Sequence, residues 1–352
     1  MVVIYLKPLT SSVFRGPAGV FQAGLHGPAA TSLSLTYPLP STIAGLIAGL
    51  AWRMGLCNPA APDVGVSDFG DQERCVRAIL GEGYYLRPGL AVAGGHYYAY
   101  TGSGRLIELG ELKRYMESCG IPPECPEKTL EPPRLARAGV ALDRASKRAA
   151  TGFLYSQEEV DYSALGASLA VLAGPGWVPG ARGITAPLGG EQRAAIITVE
   201  DAVDPAELLV EGEGPRWRAI LLTPALLHKA PAGGAVRADT SLAGEVARLL
   251  YEESDGEVRN CIEASSLEIH EIPRGELVLS IAYTGVSLAA TASKPGHHVV
   301  YRSPHVIVPP GTTLTIKAPR NCAEKIARLG IGAHSRLGWG TLLLTSEECS
   351  KP

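Results

Sequence analysis

Apolar and polar positions change period several times along the chain. Val2 to Leu6 is a short unbroken apolar run and predicts a buried strand. Leu33, Leu35 and Tyr37 alternate with Ser32, Ser34 and Thr36, the period of a half-buried strand or extended lead-in. Ile43, Leu46, Ile47, Leu50 and Met54 then recur at helical spacing. Ser41 after Pro40 supplies an N-cap and Gly55 a stop, so a helix over 41–54 is the clearest element. Shorter patterns predict helices at 73–80, 110–118, 241–252 and 319–329. Strands are predicted at 84–93 and 96–101, around Gly94-Gly95, and at 166–172, 194–200, 217–223, 277–284 and 339–344. Residues 140–143 and 152–155 flank the basic linker 144–150 and read as a hairpin with a positive tip.

Strands and helices mix without a run of βαβ units, so the fold class is α+β with antiparallel sheets. The 352 residues exceed one ordinary core and fit two domains, 1–160 and 161–352.

Charge adds a second layer. Net charge is −3, but residues 1–62 hold no Asp or Glu, and 285–346 hold seven basic residues against Glu324. Residues 252–276 are the acidic counterpart, with eight carboxylates. Such segregation can place a positive groove on one face, or it can be uneven surface charge. Seven Cys form no CxxC pair, so isolated thiols in a reducing cytosol are expected. The uncharged stretch 29–52 is interrupted by Pro38 and Pro40, which makes it a poor membrane span.

The strongest local signal for binding is Gly330 to Gly340, four glycines in eleven residues after a predicted helix. Gly332, His334, Ser335, Arg336 and Gly338 lie in it. Backbone N–H groups in such a loop bind phosphate, and Arg336 adds charge. The order is helix–loop–strand, unlike a dinucleotide loop. The N-terminus of the 41–54 helix, with Ser41 and Thr42, is a second candidate anion site. Gly189, Gly190 and Arg193 are a turn or a backbone approach to RNA. His297, His298 and His305 lack a nearby carboxylate or Cys in sequence, which favours solvent or RNA contact over a metal. No cofactor and no catalytic residue is expected.

Several of these segments together resemble one family. Pro38 to Ile47 is similar to its first helix, Gly139 to Arg144 with Ala149 to Tyr155 to its central hairpin, and Leu188 to Arg193 to its Gly-Gly-Glu motif. Gly330 to Gly340 resembles the superfamily's C-terminal glycine-rich loop, and Val13 to Gly16 its early Phe-Arg-Asp-Gly segment, with Gly16 where an acid is usual. The family is subunit 3 of the Cmr module of type III-B CRISPR effector complexes, a Cas5-like group of the RAMP superfamily. The resemblance implies two ferredoxin-like modules with insertions, and a non-catalytic cytoplasmic subunit holding the 5′ repeat-derived tag of a guide RNA. It implies contact with the large polymerase–nuclease subunit and the backbone RAMP subunits, and a thumb hairpin beside the target RNA. Arg15, Ser41, Thr42, Arg144, Lys147, Arg148, Gly189, Gly190, Arg193, Gly332, His334, Ser335, Arg336 and Gly338 are the expected RNA contacts. An endoribonuclease using His26 or His334 as base, and a purely protein-binding scaffold, are the competing readings.

Overall fold

The computed structural model describes residues 1–16, 31–60, 69–118, 126–142, 149–178, 183–189, 193–201, 204–230, 240–283 and 302–347. Its first half contributes β1 (Val2–Pro8), β2 (Thr31–Ser32), β3 (Tyr85–Ala93), β4 (His96–Tyr100), β5 (Leu106–Glu108), β6 (Thr129–Leu130), β7 (Arg134–Leu142) and β8 (Ala149–Val160). Then come β9 (Ser168–Gly174), β10 (Ile184–Leu188) and β11 (Arg193–Asp201). Its helices are α1 (Pro40–Arg53), α2 (Gly70–Leu80) and α3 (Leu109–Glu117).

Eight of these strands form one sheet in the order β10-β11-β1-β9-β3-β4-β5-β6. All the pairings that flank β1 and β9 are antiparallel. Strands from both sides of residue 160 pair in it. The hairpin β7–β8 forms a separate three-stranded sheet with β2. Its arms run from Arg134 to Val160, longer than the apolar pattern indicated, because Leu135, Ala136 and Ala138 are exposed along with Arg134 and Arg137, and no buried face imposes alternation on β7.

The second half contains α4 (Pro205–Leu209), β12 (Val210–Glu211), β13 (Arg216–Leu221), β14 (Ala225–Leu227), α5 (Thr240–Glu252), α6 (Gly256–Arg259), β15 (Glu268–Glu271) and β16 (Ser280–Tyr283). It ends with β17 (Pro304–Val308), β18 (Thr313–Lys317), α7 (Arg320–Leu329) and β19 (Leu342–Ser346). The path β13-α5-β15-β18-α7-β19 is a βαββαβ unit, the ferredoxin-like connectivity. Its strands lie in the order β19-β13-β18-β15, all antiparallel, with β12 added parallel to β19 at the edge. The first half repeats that spatial order as β11-β1-β9-β3, with α1 as its first crossover.

Alternation along the central strands explains how the halves meet. Leu169, Val171 and Ala173 of β9 enter a core with α1 and α2, while Ala170 and Leu172 enter a second core with Trp217, Leu221 and Leu342. Strand β9, in the middle of the first sheet, is therefore buried on both faces and reads as a continuous apolar run.

Helix α1 begins one residue before the predicted start. Leu39 is the N-cap, Pro40 occupies the first turn, and no side chain caps the helix. Ser41 is buried in that turn. The expectation of isolated thiols is corrected as well. Cys57 after α1 bonds Cys75 of α2, and Cys261 after α6 bonds Cys322 in the first turn of α7, each with Cα atoms 5.3 Å apart. The spacings of 18 and 61 residues carry no motif, since only helix packing brings the partners together. Their loop-closure effect is about 3 and about 4 kcal/mol respectively.

Candidate nucleic-acid interface

The expected contact residues fall into two groups. The first surrounds the root of the β7–β8 hairpin. Segment Ser11–Arg15 runs beside it, with Ser12 bridged to Val160 and Arg15 to Ser34. Glu159 of β8 is buried, 1 % exposed, and ion-pairs with Arg137 of β7 and Arg193 of β11, each at 2.7 Å. Ser11 donates to the same carboxylate. Two guanidinium groups thus share one carboxylate, and the Arg137 side chain remains 54 % exposed. Next to it Arg134 bonds Glu158 and Glu276, which hold its guanidinium pKa above the usual value against the opposing effect of burial. Arg15 is exposed at this root. Gly189, at φ +74°, lets β10 turn against the Val13 carbonyl and Phe14, so it packs on the protein. Arg137 was not singled out by the sequence; its only signal was a basic residue in an apolar stretch before the hairpin. Arg144, Lys147, Arg148 and Gly190 lie outside the described residues.

The second group joins α1, α2 and the loop 330–340, and here the expected phosphate cradle is corrected. The loop is buried apart from His334 and Arg336. Its amides are engaged internally: Ile331 donates to Gly340, Gly332 to the Ser254 hydroxyl, Ala333 to Leu226, Gly338 to Ser335 and Gly340 to Pro224. Gly332 and Gly338 have φ of +81° and +99°, and a Cβ would sit 2.7 Å from the Leu226 carbonyl or 2.6 Å from Pro88. These glycines permit close approach to the chain's own backbone, not to a ligand. The first-turn amides of α1 are likewise engaged, Thr42 and Ile43 both donating to Leu39, and Leu39 to Ser41 are buried. That removes the anion site expected at Ser41 and Thr42.

Arg336 extends from the loop to Asp255 and Glu257, at 2.8 and 2.9 Å. Burial alone would lower its pKa, but the two carboxylates hold it above the usual value. Asp255 lies below the usual carboxylate range, because Arg336 and the Glu257 N–H outweigh the effect of burial. Lys325 adds a contact to Glu257. Asp255 and Glu257 of the acidic segment thus pair with Arg336 and Lys325 of the basic C-terminal segment.

Arg87 of β3 fixes this loop from beneath. Its guanidinium is fully buried and donates to the carbonyls of Arg328 and Leu329, which end α7, and to Ser335 at 2.6 Å. Capping a helix C-terminus with a cation is favourable. Burial pushes its pKa down to about 9, so it remains charged at neutral pH. Asp71 and Arg302, both 0 % exposed, form a 2.7 Å pair, and the Arg302 guanidinium lies 4.4 Å from the Phe69 ring centre.

Residues 104–347 match the family model described as CRISPR-associated protein (Cas_Cmr3). The chain belongs to the Cas_Cmr3 family. Two solved structures share its fold at 14 % identity. A chain of the type III-B Cmr-beta complex bound to cognate target RNA and AMPPnP aligns at TM-score 0.54, covering 98 % of this chain and 99 % of that one. A chain of the Cmr-beta complex bound to cognate target RNA aligns at 0.52, covering 90 % and 86 %. No curated protein sequence matches the chain. The Cas_Cmr3 match spans the hairpin, the second ferredoxin-like unit and the glycine-rich loop. Among the described residues no helix is long and apolar enough to cross a membrane.

Proposed function

We propose that this Cas_Cmr3 chain is a non-catalytic, RNA-positioning subunit of a cytoplasmic type III-B effector complex. It holds the 5′ repeat-derived tag of the guide RNA and bridges the large polymerase–nuclease subunit to the backbone RAMP subunits. Support comes from the family match and from the fold shared with chains of RNA-bound Cmr-beta complexes. The observation that carries the RNA reading is the hairpin root, where Arg137, its side chain 54 % exposed, and Arg193 share the one buried carboxylate of Glu159. Guanidinium groups suit phosphate contacts, and such contacts set the register of a strand without reading its bases. The hairpin continues from this root to a tip whose sequence contains Arg144, Lys147 and Arg148, which would lie against the guide–target duplex as a thumb. The glycine-rich loop has a different task here: it locks the second ferredoxin-like unit onto the first.

Crosslinking of guide RNA in the assembled complex, mapped to peptides, tests this reading. The expected crosslinks fall on 11–16, 134–160 and 189–193. Crosslinks confined to the loop 330–340, or none on this chain, would refute it. Incubating the purified chain with labelled repeat RNA without metal separates it from an endoribonuclease, which would cleave at a defined position.

A further inference from the structure

Three histidines far apart in sequence converge beside α2. His228 follows β14 directly, and His305 is the second residue of β17. The antiparallel register Leu227↔Val306 brings these two positions side by side. His334 joins them because the neighbouring residue Ala333 bridges Leu226. One nitrogen from each imidazole lies within 4.8 Å of the other two. The ring centres are 5.1 Å apart for His228 and His305, 4.9 Å for His228 and His334, and 5.7 Å for His305 and His334.

We infer that His228, His305 and His334 form a zinc(II) site that ties the glycine-rich loop to the β14–β17 sheet. Three imidazoles and an open fourth position are an established donor set for zinc. Tetrahedral zinc with bonds of about 2.0–2.1 Å needs donor nitrogens roughly 3.3 Å apart. The 4.8 Å spread is wider than this, so binding requires the imidazoles to turn about their broad ring torsions.

Two further features fit a built site. Nδ1 of His334 lies 3.2 Å from the Glu73 carboxylate, which leaves Nε2 as the metal-facing nitrogen. A carboxylate behind a ligand imidazole fixes its tautomer and raises its basicity. Glu73 comes from α2, so the sequence around the histidines gave no sign of it. The backbone of His228 is also fixed, since the N–H groups of His228 and Lys229 donate to the two oxygens of Glu253. His334 holds φ +52°, the one non-glycine with positive φ among the described residues. Backbone strain of this kind gathers where a side chain must be aimed. Phe69 packs on His334 and His305 and gives the site an apolar wall. Exposed His228 leaves the fourth position open to solvent.

The test uses the full chain, free of any affinity tag and stripped with a chelator. Zinc is titrated in competition with a chromophoric chelator, and cobalt(II) serves as a spectroscopic substitute. One equivalent of zinc should bind, and cobalt should give the visible absorption of a tetrahedral site. His228→Ala, at an exposed position, should keep the far-UV circular dichroism and lose the stoichiometric binding. Glu73→Gln should weaken zinc binding about tenfold or more. Binding below one equivalent, or one equivalent unaffected by both His228→Ala and His334→Ala, would overturn the site.

Discussion

The hairpin root and the glycine-rich loop both combine arginine with glycine in sequence, yet they use these residues in opposite ways. At the root, Arg137 and Arg193 share the buried carboxylate of Glu159, and the Arg137 side chain stays 54 % exposed. In the loop, Arg336 faces Asp255 and Glu257, the latter shared with Lys325, and the amides of the glycines are bonded to the protein. On the function proposed above, the first region would meet a partner, whereas the second uses its donors to hold the two halves of the chain together. A glycine-rich loop in sequence therefore does not distinguish a phosphate cradle from a close backbone crossing. Only the tertiary partners decide it.

The contrast is broken most strongly at Arg87. Arg87→Met leaves three buried carbonyls without their donor and should cost at least about 3 kcal/mol in chemical denaturation. A neutral result would mean that the loop is not fixed from below. Gly338→Ala adds a strained φ and a collision with Pro88; the expected loss is about 1–3 kcal/mol. Glu159→Gln acts at the other region. It removes the carboxylate shared by Arg137 and Arg193, so RNA affinity should rise or hold while the denaturation midpoint falls; a loss of RNA affinity at unchanged stability would reverse the roles given to this group.

The smallest effect concerns acid. Asp255 has a folded pKa below its usual value, so its contribution is present above the unfolded pKa of about 3.9 and is lost as pH falls through the folded value. The stability difference between the protein and Arg336→Ala should accordingly shrink as pH drops below about 4. Denaturation midpoints measured across that range check it, and a difference that stays constant would mean the ion pair is not its source.

Much of the fold was legible. The α1 pattern of Ile43, Leu46, Ile47 and Leu50 places the buried face correctly, because one face of an isolated helix is encoded locally. The end of the chain was less legible. Trp339 reads as the start of a strand, but β19 begins at Leu342, since Thr341 is tied to the Thr223 hydroxyl and the Gly338 carbonyl. The site was legible only as residue types. His305 was grouped with His297 and His298 by proximity in sequence, whereas strand register groups it with His228 and His334. The charge segregation was real, but the acidic segment meets the basic one through Asp255 and Glu257, while Glu276 pairs with Arg134 of β7. Long-range pairing of that kind leaves no local signature.

The most direct test is the salt dependence of tag-RNA binding by the complex carrying Arg137→Ala or Arg336→Ala. A phosphate contact in single-stranded RNA contributes about 0.7 to the slope of log K against log salt. The account predicts that Arg137→Ala flattens the slope by about that amount and that Arg336→Ala leaves it unchanged while lowering the melting temperature. A flattened slope for Arg336→Ala, with none for Arg137→Ala, would contradict it.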